Sequence, residues 1–217
     1  MKEKSSHREE RKNKGLFNRI APVYGLFFSM QRGNFQRILK QIEGKVDLSR
    51  WESVIDVGCG TGALCSVLAE EGFAVTGVDP ARRMLEIAKR KAAGQAADQK
   101  IAFVEGNALE GLAFPDNSFD VAIASYVAHG LQQKERQKLY AEMSRVARDM
   151  VIIHDYNKER SLLTSIVEWM EGGDYFRFIQ QAEQEMKDCA AEMNNCFSEV
   201  RVIRVGPRAS WYLCIPK

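Results

Sequence analysis

The stretch Val54–Leu64, VIDVGCGTGAL, decides the fold. Extended back to Ser53, its opening SVIDV reads as a buried strand. Gly58, Gly60 and Gly62 follow at once, and GALCSVLAEEG then continues with helical periodicity. A strand that runs into glycines and opens a helix is the setting of a nucleotide-binding turn, because a backbone without side chains can turn sharply and admit a ligand closely. One residue fits that picture poorly. Asp56 places a carboxylate at the mouth of the turn, where it would repel a phosphate and attract a positively charged group.

Outward from the turn, strand-like and helix-like segments alternate. AVTGVD (74–79) is a second strand and ARRMLEIAKRKAA (81–93) its helix, completing a βαβ unit. IAFVEG (101–106) and FDVAIASY (119–126) are the third and fourth strands, separated by the loop NALEGLAFPDNS. The helix QKERQKLYAEMSRVARD (133–149) leads into MVIIHDY (150–156), the fifth. EVRVIRVG (199–206) and SWYLCIP (210–216) are the last two, and the short Gly-Pro turn between them suits an antiparallel hairpin. The pattern predicts an α/β fold: a mostly parallel seven-stranded sheet, helices on both faces, and ligands at the carboxyl ends of the strands.

The flanking segments differ from this core. Residues 1–14 form a charged, aperiodic tail, and residues 15–50 an N-terminal helical cap. Within the cap, GLFNRIAPVYGLFFSM is aromatic and broken by Pro22 and Gly25, whereas NFQRILKQIEG sets Phe35, Ile38, Leu39 and Ile42 on one helical face before a stop at Gly44. Residues 51–217 make the main domain, with a helical insertion at about 157–195. A net charge of +2 gives no electrostatic footprint for nucleic acid. No apolar run reaches the length of a membrane span, and the N-terminal stretch lacks the apolar core of a secretory signal, so a cytoplasmic protein is expected. Five cysteines without a CxxC pair predict neither a disulfide framework nor a metal site, but free and mostly buried thiols.

Two ligand classes compete for the turn. Gly58, Gly60 and Ala63 satisfy the dinucleotide pattern GxGxx[G/A], which keeps an NAD-dependent oxidoreductase in play. Asp79, closing the second strand, can accept hydrogen bonds from ribose hydroxyls in either case. Asp56 discriminates, because beside a pyrophosphate it is unfavourable and beside an ammonium or sulfonium it is favourable. That favours S-adenosylmethionine as the cofactor.

With these residues in view, VIDVGCGTGALCSVLAEEGFAVTGVDPARRMLEIAKRKA resembles the first two motifs of the class I S-adenosylmethionine-dependent methyltransferases, and FVEGNALEGLAFPDNSFDVAIASYVAHGL resembles their third and fourth. The leader LFNRIAPVYGLF is similar to the N-terminal segment of the ubiquinone and menaquinone biosynthesis methyltransferases, although Gly25 stands where that subgroup usually has Asp. The resemblance covers about residues 15–155 and implies a Rossmann-like class I methyltransferase fold. It also implies cofactor-binding roles. Gly58, Cys59, Gly60 and Gly62 would line the methionine part with backbone, Asp56 would receive its amino group, and Asp79 would hold the ribose. Pro80 and Met84 would lie near the adenosine, Asn107 would offer its amide carbonyl to the adenine amine, and Ala108 would flank the ring. Ser125 and Tyr126 would border cofactor and acceptor, with Tyr24 as part of an N-terminal lid.

Methyl transfer needs alignment more than a dedicated catalytic group. If the acceptor is a hydroxyl or an acidic carbon, a base helps, and His129 in SYVAHGL follows the fourth strand at the ligand edge. His154 and Asp155, ending the fifth strand, are further candidates. Phe17, Tyr24, Phe27, Trp169, Tyr175, Phe176 and Phe178 lie outside the nucleotide-binding core and would cap a small, partly apolar acceptor. The partners expected are a small-molecule methyl acceptor, no nucleic acid and no membrane span, with a homodimer as an open alternative to a monomer. A non-catalytic S-adenosylmethionine-binding protein is the third reading.

Overall fold

The computed structural model describes residues 28–93, 101–156, 192–206 and 209–217. Helix α1 occupies residues 28–42. It buries Phe35, Ile38, Leu39 and Ile42, the face expected from their spacing, and Gly44 follows its end with φ of 76°. Then come β1 (Ser53–Val57), α2 (Ala63–Glu70), β2 (Ala74–Asp79), α3 (Arg82–Ala92), β3 (Ile101–Glu105), β4 (Phe119–Ser125), α4 (Gln133–Val146), β5 (Ala147–Tyr156), β6 (Glu199–Arg204) and β7 (Ala209–Ile215). Residues 192–196 are helical.

The strands form one seven-stranded sheet in the order β3-β2-β1-β4-β5-β7-β6. Strands β1 to β5 pair in parallel, and β7 runs antiparallel to both β5 and β6. The C-terminal hairpin and the mostly parallel core are those the sequence predicts. Strand order reverses at β1: the chain builds outward through β2 and β3, then returns to place β4 on the other side. Such a reversal leaves a crevice at the carboxyl ends of β1 and β4, where loops diverge to opposite faces.

Side chains of central strands alternate between two cores, as the period of two requires. Val54, Val121, Ile123, Ile152 and Leu213 pack with α1 and α2 on one face. Ile55, Val57, Ala122, Val151, Ile153 and Cys214 pack on the other with Leu139, Tyr140 and Met143 of α4, together with Met193 and Phe197. A buried ion pair ties that second face together, Arg136 Nε of α4 standing 2.8 Å from Glu192 Oε2.

The start of β5 differs from the sequence reading. Residues 147–149, expected to finish α4, belong to β5. Ala147 is fully buried opposite Phe119, and the register then skips, so that Val121 faces Met150. The extra residue is a bulge on β5, and Arg148 uses the turned-out position to reach Asp120 at 2.8 Å. Sheet pairing here outweighs helix propensity. The charged tail, Tyr24 and most of the insertion with its aromatic residues lie outside the described residues. So do Phe17 and Phe27.

Candidate functional site

The glycine turn is built by left-handed backbone. Gly58, Gly60 and Gly62 have φ of 78°, 53° and 77°, conformations that side-chain-bearing residues rarely adopt. What surrounds them divides their tasks. A Cβ on Gly58 would stand 2.6 Å from Cγ2 of Val127, and one on Gly62 would stand 2.9 Å from Phe103 and 3.1 Å from Ala88. Those two glycines let protein pack on protein. Among the described residues a Cβ on Gly60 would meet nothing within 4 Å, so the middle of the turn faces space that a ligand can enter.

Asp79 anchors that opening. Its Oδ2 accepts the Gly60 N–H at 2.9 Å and its Oδ1 accepts the Ala81 N–H at 2.8 Å, joining the turn to the start of α3. A carboxylate oxygen can accept from more than one donor, which suits such a residue to hydroxyl groups as well as backbone N–H groups. Pro80 follows, half-buried, while Met84 is buried against Ala81 and Ile87. Asn107, after β3, uses its side-chain carbonyl to accept the Leu109 N–H at 3.0 Å, a local turn that fixes the loop carrying the buried Ala108.

Asp56 is placed differently from a carboxylate at an open mouth. It is only 1% exposed, in register with Gly77 of β2. Its Oδ2 accepts the Cys65 thiol at 3.2 Å, while Oδ1 is buried with no hydrogen-bond partner among the described residues. Burial, reinforced by the charge of Asp79, pushes its pKa up to about 7 against the favourable Cys65 contact. The Cys59 and Cys65 sulfurs crowd the same spot, 2.9 and 2.8 Å from where a Cβ on Gly77 would stand. Burial dominates at Cys65 and holds its thiol protonated. The four described cysteines, Cys59, Cys65, Cys196 and Cys214, are free thiols and three are buried. The role of Gly77 and Cys65 in enclosing Asp56 escaped the sequence reading; the signal available was the alternation that points Asp56 toward the α2 face.

At the ends of β4 and β5 a second group of residues converges. Ser125 Oγ lies 2.7 Å from His154 Nδ1. Tyr126 adopts a left-handed φ of 58°, is held by its N–H to the His154 carbonyl at 2.8 Å, and lays its ring 4.6 Å from the His154 imidazole. A non-glycine residue in that region costs of order 1–3 kcal/mol, a strain found where a side chain must be aimed. His154 is fully buried against Phe35 and Trp211, and burial lowers its pKa to about 4. His129 sits on a 3-10 turn, Ala128–Gly130. Its Nδ1 is 3.0 Å from Asp155 Oδ1, and its backbone N–H donates to Asp155 Oδ2 at 3.0 Å. The loop that carries His129 begins with Val127, the residue seated on Gly58, so the two groups are neighbours across the β1–β4 crevice.

The arrangement has what a nucleoside with a cationic tail requires: an open backbone cradle at Gly60, a ribose-competent carboxylate at Asp79, and an orphaned buried carboxylate oxygen on Asp56. Comparison with known proteins agrees. Residues 54–150 match the methyltransferase domain family. An uncharacterized methyltransferase of Bacillus licheniformis is 28% identical over 76% of this chain and 77% of its own length. A demethylmenaquinone methyltransferase of Lactiplantibacillus plantarum is 29% identical over 71% of this chain and 67% of its own. In fold, the chain superimposes on a SAM-dependent methyltransferase from Aquifex aeolicus with a TM-score of 0.57, at 20% identity, covering 76% of this chain and 82% of that one. Residues 54–150 are thus matched to a methyltransferase domain, and the strand order is the fold of the class I S-adenosylmethionine-dependent methyltransferases.

Proposed function

We propose that this enzyme works in the cytosol and methylates a small, partly apolar acceptor held beside the β4 and β5 ends. The observation that carries the reading is the open face of Gly60, whose N–H is held by Asp79 and whose neighbour Gly58 is packed by Val127 of the His129 loop. S-adenosylmethionine supplies an electrophilic methyl group on a sulfonium, a leaving group already activated. The protein's task is to orient and to exclude water. In this reading the backbone of Gly58, Cys59, Gly60 and Gly62 holds the methionine part, and Asp56 balances its positive charge. Asp79 takes the ribose hydroxyls, Pro80 and Met84 border the adenosine, and Asn107 with Ala108 frames the adenine. Ser125 and Tyr126 separate cofactor from acceptor, and His129 is the residue placed to move a proton.

The acceptor class is supported by the name of the Lactiplantibacillus relative, whose substrate carries a quinone nucleus, and by the aromatic content of the segments flanking the core. Titration calorimetry with S-adenosylmethionine, S-adenosylhomocysteine and NAD tests the site. Binding of the two adenosyl amino acids without NAD is expected; binding of NAD alone would overturn the cofactor assignment. Methyl transfer to a quinone-type acceptor, followed with labelled cofactor, tests turnover.

A further inference from the structure

Cys59 and Cys65 stand on either side of the glycine turn in sequence and meet beside it in space. Cys59 lies between Gly58 and Gly60, and Cys65 in the first turn of α2. Both sulfurs fill the place of the side chain that Gly77 of β2 lacks, and the two thiols are hydrogen-bonded to each other. Cys65 also donates to Asp56 Oδ2 at 3.2 Å, so the pair and the buried carboxylate form one cluster. The backbone at Cys59 is held as well: its N–H donates to the Val78 carbonyl at 3.0 Å, and its carbonyl accepts the Gly62 N–H at 2.9 Å. A movement of Cys59 is therefore passed to Gly60, the open part of the cradle. The Cys65 hydrogen bond favours a Cys59 thiolate, but burial with the charges of Asp56 and Asp79 outweighs it, and burial holds Cys65 well above the ordinary thiol range. What distinguishes the pair is proximity rather than acidity.

We infer that Cys59 and Cys65 are an oxidation site, closed to a disulfide by a peroxide, and that the closed form releases S-adenosylmethionine. The inference rests on the cofactor reading of the turn. The Cys59 sulfur, as thiolate, attacks one peroxide oxygen; an S–O bond forms, the O–O bond breaks, and the departing hydroxide leaves as water with the proton Cys59 released. The Cys65 sulfur then displaces the hydroxyl from Cys59, forming the S–S bond, and that hydroxyl leaves as a second water with the Cys65 proton. The two thiols are oxidised together by two electrons, and the peroxide is reduced to water. Neither sulfur of the disulfide can donate, so Asp56 Oδ2 loses the Cys65 thiol while Oδ1 already has no partner among the described residues. Asp56 then favours its protonated form and no longer balances a positive charge. The new bond also draws Cys59 toward α2, against its hydrogen bonds in the turn. By linkage, bound cofactor opposes closure. In a reducing compartment such a disulfide is transient and reports an oxidant.

The test uses the full chain, reduced and then treated with hydrogen peroxide. Trypsin releases residues 51–82 as one peptide that holds Cys59 and Cys65 and no other cysteine. After treatment this peptide should be two hydrogen atoms lighter and resist alkylation until dithiothreitol is added. Calorimetry measures S-adenosylmethionine affinity on the reduced protein first; absence of binding there defeats the cofactor reading, whereas the peptide reports the oxidation site in either case. Peroxide should then weaken binding by roughly 10-fold or more, with recovery in dithiothreitol. Saturating S-adenosylmethionine should slow the cross-link. Cys59→Ala, compared with its own reduced form, should keep its affinity through the same treatment. Two alkylatable thiols in the treated peptide, a cross-link that leaves affinity unchanged, or an equal loss of affinity in Cys59→Ala would overturn the inference.

Discussion

Replacing Asp56 with Asn should make the ligand-free protein more stable and the enzyme worse. In the unfolded chain the carboxyl ionises around 3.8, whereas in the fold burial raises its pKa to about 7. Below 3.8 the group is neutral in both states and costs nothing. Between these values the folded state holds a proton that the unfolded state has lost, so stability falls as pH rises, at about 1.4 kcal/mol per pH unit. Above pH 7 the penalty levels off near 4 kcal/mol, an order-of-magnitude figure for a group this buried. Asn has nearly the same shape, stays neutral, and its carbonyl can keep accepting the Cys65 thiol. The stability advantage of Asp56→Asn should therefore widen by about 3 kcal/mol between pH 5 and pH 8, read from urea unfolding without cofactor. Comparing two pH values cancels any pH-independent effect of the amide. Cofactor affinity should move the other way, weakening roughly 10- to 100-fold, as expected for losing a charged contact of about 1.5–3 kcal/mol. A stability gap that is the same at both pH values, or unchanged S-adenosylmethionine binding, would refute the reasoning.

The remaining predictions concern the scaffold. Gly62→Ala meets Phe103 and Ala88 in a left-handed conformation and should cost about 1–3 kcal/mol in denaturant unfolding. Gly60→Ala, facing open space, should cost only about 1 kcal/mol in stability and register mainly as lost cofactor affinity. Arg136→Met strands the buried Glu192 carboxylate and should destabilise by about 3–5 kcal/mol, with much of the loss recovered in Arg136→Met/Glu192→Leu. His154 should show no titration between pH 5.5 and 8 by NMR, since burial lowers its pKa to about 4; a midpoint near pH 6.5 would show that the ring is not enclosed by Phe35 and Trp211.

The sheet was legible in the sequence because buried parallel strands are short apolar runs and the glycines punctuate them. The start of β5 was not. Ala147, Arg148 and Asp149 extend a helical pattern without interruption, and only pairing with β4, across a bulge, recruits them into the strand. The glycine turn and its two carboxylates could be located from spacing alone, but the environment of Asp56 could not, since it depends on Cys65 and Gly77 arriving from neighbouring elements. His129 and Asp155 were each visible as candidates at strand ends. Their pairing was hidden, because it requires the β4–β5 register and the turn after β4 to bring residues 26 positions apart into contact.

Asp56 and His154 lie on β1 and β5 with β4 between them, and they titrate in opposite senses. Between about pH 4 and 6.5 the folded state carries one more proton at Asp56 than the unfolded chain, and one fewer at His154. The two differences cancel in the proton balance of unfolding, so together they add almost no slope to stability across mildly acidic conditions. Each is a liability that masks the other. A lineage that replaced either one alone would acquire an acid- or base-sensitive fold without touching a single packing contact at the other site, which ties two non-touching positions into one unit of substitution.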